Sequence, residues 1–375
     1  MKVCIPKNLL AAAIGRVQGA VAEKNLGHIG MRAEGNILNL IAADRLIAIY
    51  CDLECEVKEK GTVFIPAKFF SDVVKELPAG TATLRAEESW LVVTAGEKDE
   101  FTIKLPLNGE LKWVEAPKFE SETRSTAFIP STKFLYMIEQ VQFCVAQESP
   151  RSYGTVGYLH KVADHTLRLV GTDGFRLSYC DVSFDAPEEF LLNGVCISRR
   201  ALGELLRMCQ EGFEKVELSI ADDNSTLRAQ VEGYCIYILL SAIKYPHYQG
   251  VVPKEQPAHV EVSRPMLQSV AKRVLLAAGK TKALKMHFSK NLLTLSSKNV
   301  GNSEGREKID LDTYAGPDCD LAVNGKFLSD VFTTTKSDQL QIQFKNEEDP
   351  VVVVPSQEPN ECLSRHILVP IRESE

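Results

Sequence analysis

Gly279-Lys280-Thr281 has the ending of a phosphate-binding loop, in which glycine amides and a lysine cradle a nucleotide. Val274 stands where the leading glycine of that motif belongs, inside a segment with helical spacing. Cys51 and Cys55 could start a thiolate metal site, yet no second Cys or His pair follows at ligand spacing. The histidines show no H-E-x-x-H spacing. The chain is therefore expected to be no enzyme, with no cofactor and no metal.

Charge offers a different chemistry. Between Val262 and Ser303 there is no acidic residue, while Arg264, Lys272, Arg273, Lys280, Lys282, Lys285, Lys290 and Lys298 fall there. Lys7, Arg16 and Lys24 lie on one earlier segment, and Arg199, Arg200 and Arg207 on another. Acids gather elsewhere, at Glu97, Asp99, Glu100, Glu347, Glu348 and Asp349. The net charge is −7, so basicity is local and not global. Basic residues recurring on equivalent helices suit phosphate-directed, sequence-independent contact with duplex nucleic acid. Few aromatics accompany them, which disfavours a single-strand binder. The bland reading of each charge run is a solvated helix face.

These segments recur. Arg16 to Glu23 resembles Gln140 to Gln147, with Pro6 falling on Pro130, 124 residues on. A weaker third copy spans Met266 to Ala278, placing Leu267 on Phe134. Ile65 to Val74 resembles Val323 to Phe332, 258 residues on, with Ile197 to Leu206 between them. Two separate segments thus give one repeat of about 129 residues. Three domains are expected, at 1–125, 126–253 and 254–375. Leu10, Ile14, Val17 and Val21 have amphipathic helical spacing, and Ser131 and Ser263 suit helix N-caps. Alternating strands such as Leu38–Leu40, Thr166–Leu169, Tyr234–Leu240 and Leu292–Ser296 run between the helices. Each domain should hold two helices and about eight strands, an α+β fold.

The chain has 375 residues, 45% hydrophobic and 25% charged, enough for several cores. No apolar run reaches the roughly 18 residues of a membrane span. Ten scattered cysteines without a C-x-x-C pair read as reduced, buried thiols of a cytoplasmic protein.

Three motifs give the repeat a resemblance. Thr172-Asp173-Gly174-Phe175-Arg176-Leu177-Ser178 resembles the T-D-G-H-R-L-A signature of bacterial DNA polymerase III beta subunits, the sliding clamps. Tyr245-Pro246-His247-Tyr248-Gln249-Gly250-Val251-Val252-Pro253 is similar to their F-P-D-Y-x-x-V-L-P linker, and Ile367-Leu368-Val369-Pro370-Ile371-Arg372 to their V-V-M-P-M-R ending. The likeness covers the whole chain and is weakest in the first domain, around Gly27 to Gly30.

That resemblance implies a head-to-tail dimeric ring around duplex DNA, associated with the nucleoid and not with membrane. It implies a processivity factor without catalysis, whose partners are the polymerase III alpha subunit, the clamp loader and other clamp-motif proteins. Carried over by motif, the partner-peptide pocket takes Thr172, Gly174, Phe175, Arg176, Leu177, Pro246, Gly250, Val251, Ile367, Leu368, Val369, Pro370, Ile371 and Arg372. Leu177, Val251, Leu368 and Val369 are expected as its apolar floor, and Thr155 replaces an apolar wall residue. Phe175 stands for the usual histidine, and Glu373-Ser374-Glu375 extends the usual end. Lys24, Arg199 and Arg200 carry over as DNA-facing, and Lys68, Lys133, Lys272 and Lys326 join them by helix position. Phe101 and Ile103 are expected to meet Leu275 and Leu276 of the other chain. The charges flanking that joint, acids by Phe101 and bases by Leu275, partly reverse the usual polarity. A clamp-like paralogue of a plasmid, phage or second chromosome, with a specialised repair or replication role, is the alternative.

Overall fold

The computed structural model describes residues 1–21, 27–96, 100–116, 126–191, 193–221, 223–280, 282–299, 301, 303–312, 314 and 316–371. Two compact units form, Met1–Ser131 with Arg207–Leu240, and Thr132–Leu206 with Ser241–Glu375.

The first copy of the repeat runs β1 (Lys2–Pro6), α1 (Lys7–Val17), β2 (His28–Glu34), β3 (Ile37–Ala43), β4 (Ile47–Glu54), β5 (Glu56–Glu59), β6 (Gly61–Pro66), α2 (Ala67–Glu76), β7 (Thr81–Glu87), β8 (Trp90–Ala95) and β9 (Phe101–Pro106). The second runs β10 (Thr126–Pro130), α3 (Ser131–Gln142), β11 (Val156–Ala163), β12 (Thr166–Thr172), β13 (Arg176–Ser183), β14 (Val195–Ser198), α4 (Arg199–Gln210), β15 (Lys215–Ile220), β16 (Thr226–Val231) and β17 (Tyr234–Leu239). The third runs β18 (Ala258–Ser263), α5 (Arg264–Val274), β19 (Ala283–Ser289), β20 (Leu292–Lys298), β21 (Glu304–Asp310), β22 (Cys319–Asn324), α6 (Gly325–Thr334), β23 (Gln339–Phe344), β24 (Val351–Pro355) and β25 (Cys362–Leu368). Every helix follows a strand directly.

The first unit holds a sheet of order β5-β1-β7-β8-β9 and one of order β10-β15-β16-β17-β4-β3-β2-β6. The second holds β14-β11-β12-β13-β25-β24-β23-β18 and β21-β20-β19-β22. Each eight-stranded sheet splices two successive copies, through β4 against β17 and through β13 against β25, both antiparallel. Apolar helix faces cover the sheets: Leu10, Ala13, Ile14 and Val17 of α1 are buried, as are Leu267, Val270, Ala271 and Val274 of α5. Helical spacing at 3.6 residues per turn puts these four on one stripe.

Three local expectations change. The apolar spacing runs to Val21, but α1 stops at Val17 and tightens into a 3-10 turn, Gln18–Ala20, around Gly19, a poor helix former. Ser263 sits at the N-cap of α5 without a side-chain hydrogen bond, and the Ser131 hydroxyl is buried without a partner among the described residues. The working caps belong to the second helices of the later two copies: Ser198 Oγ accepts from Ala201 N at 3.3 Å, and Asn324 Oδ1 from Lys326 N at 3.0 Å. Cys4, Cys55, Cys235, Cys319 and Cys362 are half-buried and not buried.

Three motif-like stretches stand in the wrong elements for catalysis. Gly279-Lys280 leads into strand β19, so no helix N-terminus follows to hold a phosphate. Gly301 to Gly305 has G-x-S-x-G spacing, but Ser303 lies where β20 turns into β21 and not on a strand-to-helix elbow. His259-Val260-Glu261 lies within β18.

Candidate partner-peptide pocket and basic helices

The turn between β12 and β13 is fixed by its own side chains. Asp173 Oδ1 accepts from Phe175 N at 3.0 Å and Arg176 N at 3.1 Å. Thr172 Oγ1 accepts from Gly174 N at 3.1 Å and donates to Arg176 O at 2.6 Å. Gly174 has φ +89°, and a Cβ there would lie 2.0 Å from Arg151 Nη1. The turn thrusts Phe175 outward, 62% exposed, with the Arg151 guanidinium 5.9 Å from its ring centroid.

Beside this turn opens a cavity of about 890 Å³. Of the expected residues, Thr172, Gly174, Arg176, Leu177, Pro246, Gly250, Val251, Ile367 and Val369 line it. Leu177 and Ile367 face each other across β13 and β25 and form the floor with Tyr248, packed on buried Val170 and Tyr179. Leu368 is corrected out of that floor. Strand side chains alternate, so the neighbour of Ile367 points the other way, into the third copy's core at 2% exposure. Thr155, Phe175, Pro370 and Ile371 also stand outside the lining. Thr155 closes a 3-10 turn by donating to Ser152 O at 2.9 Å, and Ile371 N donates to Ala322 O at 2.7 Å. Arg372 to Glu375 lie outside the described residues.

Arg176 lines the cavity as a brace. Its Nε donates to Asp173 Oδ2 at 2.9 Å, Nη1 to Asp330 Oδ2 at 2.6 Å and Nη2 to Phe143 O at 2.8 Å. The Phe143 and Phe327 ring centroids lie 5.3 and 4.3 Å from the guanidinium carbon. The motif turn is thereby tied to α6.

Sequence reasoning missed part of the wall. Arg151, Tyr153 and Tyr248 line the cavity, and its far end is polar, with Lys254, Glu255, Gln256, Lys345 and Asp349. The linker's tyrosines were the available signal. Tyr245 stacks on Tyr158 at 4.9 Å, and Tyr248 Oη bonds His160 Nε2 at 2.9 Å. Lys345 and Asp349 come from the β23–β24 turn, which no local pattern links to the linker.

Beneath β13 and β25, His366 is fully buried, with Nδ1 3.0 Å from Ser178 Oγ. Burial, helped by Arg365, pushes its pKa down to about 3. An unfolded histidine titrates near 6.5. Between these values the unfolded chain holds the extra proton, so this contribution is complete above pH 6.5 and is lost as pH falls toward 3. The expected slope is about 1.4 kcal/mol per pH unit. Urea unfolding of wild type and His366→Gln from pH 7 to 4 checks it; parallel curves would refute it.

The basic helices divide. Lys68 on α2, Lys272 on α5 and Lys326 on α6 are exposed, and Lys68 and Lys326 are repeat equivalents. Lys133 is half-buried, donates to Ser183 Oγ at 2.7 Å and pairs with Glu361. Arg199 is half-buried as well. Its Nη1 donates to Gln142 O at 3.2 Å and to Val145 O, capping carbonyls at the negative end of α3. Arg200 is half-buried, and Lys24 lies outside the described residues. Helix position alone does not tell what packs opposite a side chain.

Phe101 and Ile103 are half-buried on edge strand β9, Leu275 is half-buried, and Leu276 is 85% exposed. Glu97 and Asp99 lie outside the described residues, and Arg273 pairs with Glu307 of its own chain at 2.9 Å, so the reversal of polarity rests on fewer charges.

Three family models match in order: the DNA polymerase III beta subunit N-terminal domain at 1–109, its central domain at 128–247 and its C-terminal domain at 249–372. Beta sliding clamps of Escherichia coli K12 and Caulobacter vibrioides are 25% and 24% identical, each over 99% of this chain and 100% of the relative. The solved sliding clamp of Pseudomonas aeruginosa bound to griselimycin overlays with TM-score 0.89 at 23% identity, covering 100% of both chains. The DNA polymerase III beta subunit of Thermotoga maritima overlays with TM-score 0.89 at 20% identity, again over 100% of both. With all three family domains matched along nearly its whole length, the chain belongs to the DNA polymerase III beta subunit family.

Proposed function

We propose that this chain is a DNA sliding clamp, a non-catalytic processivity factor of three domains (1–125, 126–253 and 254–375). Two chains close head to tail around duplex DNA in the cytoplasm, and the pocket by Leu177 docks polymerase, loader and other clamp-motif proteins. The pairing of the copies carries this reading. Within the chain, the fourth strand of one copy pairs with the last strand of the next, twice. The β9 sheet and the β21 sheet are each left as half of such a splice. A second chain supplies both missing halves and leaves no splice open.

Exposed Lys68, Lys272 and Lys326 are offered as phosphate-binding groups. Native mass spectrometry tests the ring, with a species near twice 41.6 kDa expected and a persistent monomer refuting it. DNA retention is expected to fall steeply with salt. Replacing the three lysines by alanine should flatten the log–log slope by about 0.9 for each phosphate no longer neutralised. An unchanged slope would remove these lysines from the DNA face.

A further inference from the structure

The first two copies of the repeat differ at one matched spot. In the second copy, Arg168 on β12 lies directly across from Asp181 on β13. Its Nε and Nη2 donate to the two carboxylate oxygens at 2.5 and 2.6 Å, and its guanidinium carbon lies 4.1 Å from the Tyr179 ring centroid. The counterparts in the first copy, 129 residues earlier, are Asn39 on β3 with Asp52 and Tyr50 on β4. Asn39 again lies directly across from the aspartate, but it offers only a neutral amide, Nδ2 donating to Asp52 Oδ1 at 2.7 Å. The carboxylate and the ring recur; the guanidinium that serves both does not.

The shorter side chain leaves a space. A cavity of about 320 Å³ within the first unit is lined by Asn39, Tyr50 and Asp52, with Cys235 and Tyr237 of β17 beside them. Arg32 lines it too, but its guanidinium pairs with Glu115 at 2.7 Å and lies 4.3 Å from the Trp113 ring centroid. The same sheet face ends in an apolar seat. Leu46 and Leu239 are 45% and 48% exposed, and Leu239 N donates to Leu46 O at 2.8 Å. They stand where Phe175 and Val369 stand at the partner-peptide pocket, where Val369 N donates to Phe175 O at 3.1 Å. Asp44 Oδ1 accepts from Leu46 N at 2.7 Å and Ile47 N at 2.9 Å, as Asp173 does in the later turn. Leu46 and Tyr50 share one face of β4, four residues or about 13 Å apart.

We propose that the β4–β17 splice is a second docking site, for an extended segment of a partner protein that places an arginine between Tyr50 and Asp52 and an apolar side chain on Leu46 and Leu239. The guest arginine takes the place that Arg168 fills in the second copy. This goes beyond the clamp reading and does not depend on it. Arginine is selected over lysine, because a planar guanidinium can give a carboxylate two parallel N–H donors while lying against a tyrosine ring, and a compact ammonium cannot. The two docking sites also differ in charge. Asp52 and Glu115 outnumber Arg32 in this one, whereas Arg151, Lys254 and Lys345 outnumber Glu255 and Asp349 in the other, where Asp173 and Asp330 hold Arg176. Opposite fields favour different segments, so the sites do not compete for one partner motif.

Calorimetry on the full chain tests it, with the end-blocked peptide Gly-Leu-Ser-Gly-Ser-Arg-Gly, whose leucine and arginine are spaced as Leu46 and Tyr50 are. Sub-millimolar binding is expected. Citrulline in place of the peptide's arginine, which keeps the shape and removes the charge, should weaken it about tenfold or more, and lysine nearly as much. Asp52→Asn should do the same from the protein side. Asn39→Arg should also abolish binding, because the chain then fills the space with its own guanidinium. No binding at millimolar peptide, equal affinity for the arginine and citrulline peptides, or unchanged affinity in both variants overturns the proposal. A clamp-motif peptide that binds wild type and both variants alike shows in each case that the pocket by Leu177, and the clamp reading with it, stands apart from the result.

Discussion

Val251→Asp is expected to abolish binding of a Leu/Phe-bearing clamp-motif peptide that wild type binds at micromolar strength. Val251 lines the cavity yet is 56% exposed, so the fold loses little when it changes. A docked apolar side chain would seal the new carboxylate from water without a counter-charge on the apolar floor. Such desolvated charges cost several kcal/mol, and hot-spot losses of 2 kcal/mol or more are common, so at least about 30-fold in Kd is expected. Calorimetry measures it, with Val251→Ile as the variant that keeps binding. Equal affinity for wild type and Val251→Asp would remove this wall from the peptide site. Leu177→Asp should also abolish binding, but it buries a charge in the floor and would unfold part of the unit as well.

Arg176→Met is expected to destabilise the second unit by about 3 kcal/mol and to weaken the peptide too. The guanidinium side chain is 9% exposed, and its removal strands Asp173 and Asp330, at 16% and 33%, beside each other. Breaking such a pair costs more than the pair itself contributes, because the remaining charges stay partly buried. Arg176→Lys should rescue little: an ammonium cannot serve two carboxylates and the Phe143 carbonyl from one plane between two rings. Urea midpoints with peptide titrations check both parts. A midpoint within error of wild type would mean that Arg176 does not brace the turn.

The helices were legible because their apolar residues recur at helical spacing and the copies repeat it. The family motifs located the cavity through Leu177, Val251 and Ile367, which all line it. Leu368 was misplaced because a motif gives order along the chain, while the side a residue faces is set by which strand β25 pairs with. The contacts of Lys133 and Arg199 were hidden for a related reason. Glu361 and the end of α3, their partners, lie 228 and 57 residues away. The β4–β17 splice joins residues nearly 190 positions apart, and alternation within each strand cannot disclose it.

The spliced sheets also bear on how such a chain can be cut. Ending the chain at residue 253 removes β25 and leaves β13, Arg176 to Ser183, as a long edge of side chains that are mostly buried in the full chain. An open edge of unpaired backbone groups is a template for indiscriminate strand addition. A copy excised alone is therefore a precursor of aggregates, and loss of a terminal copy by truncation or early termination would give insoluble protein in place of a smaller working one.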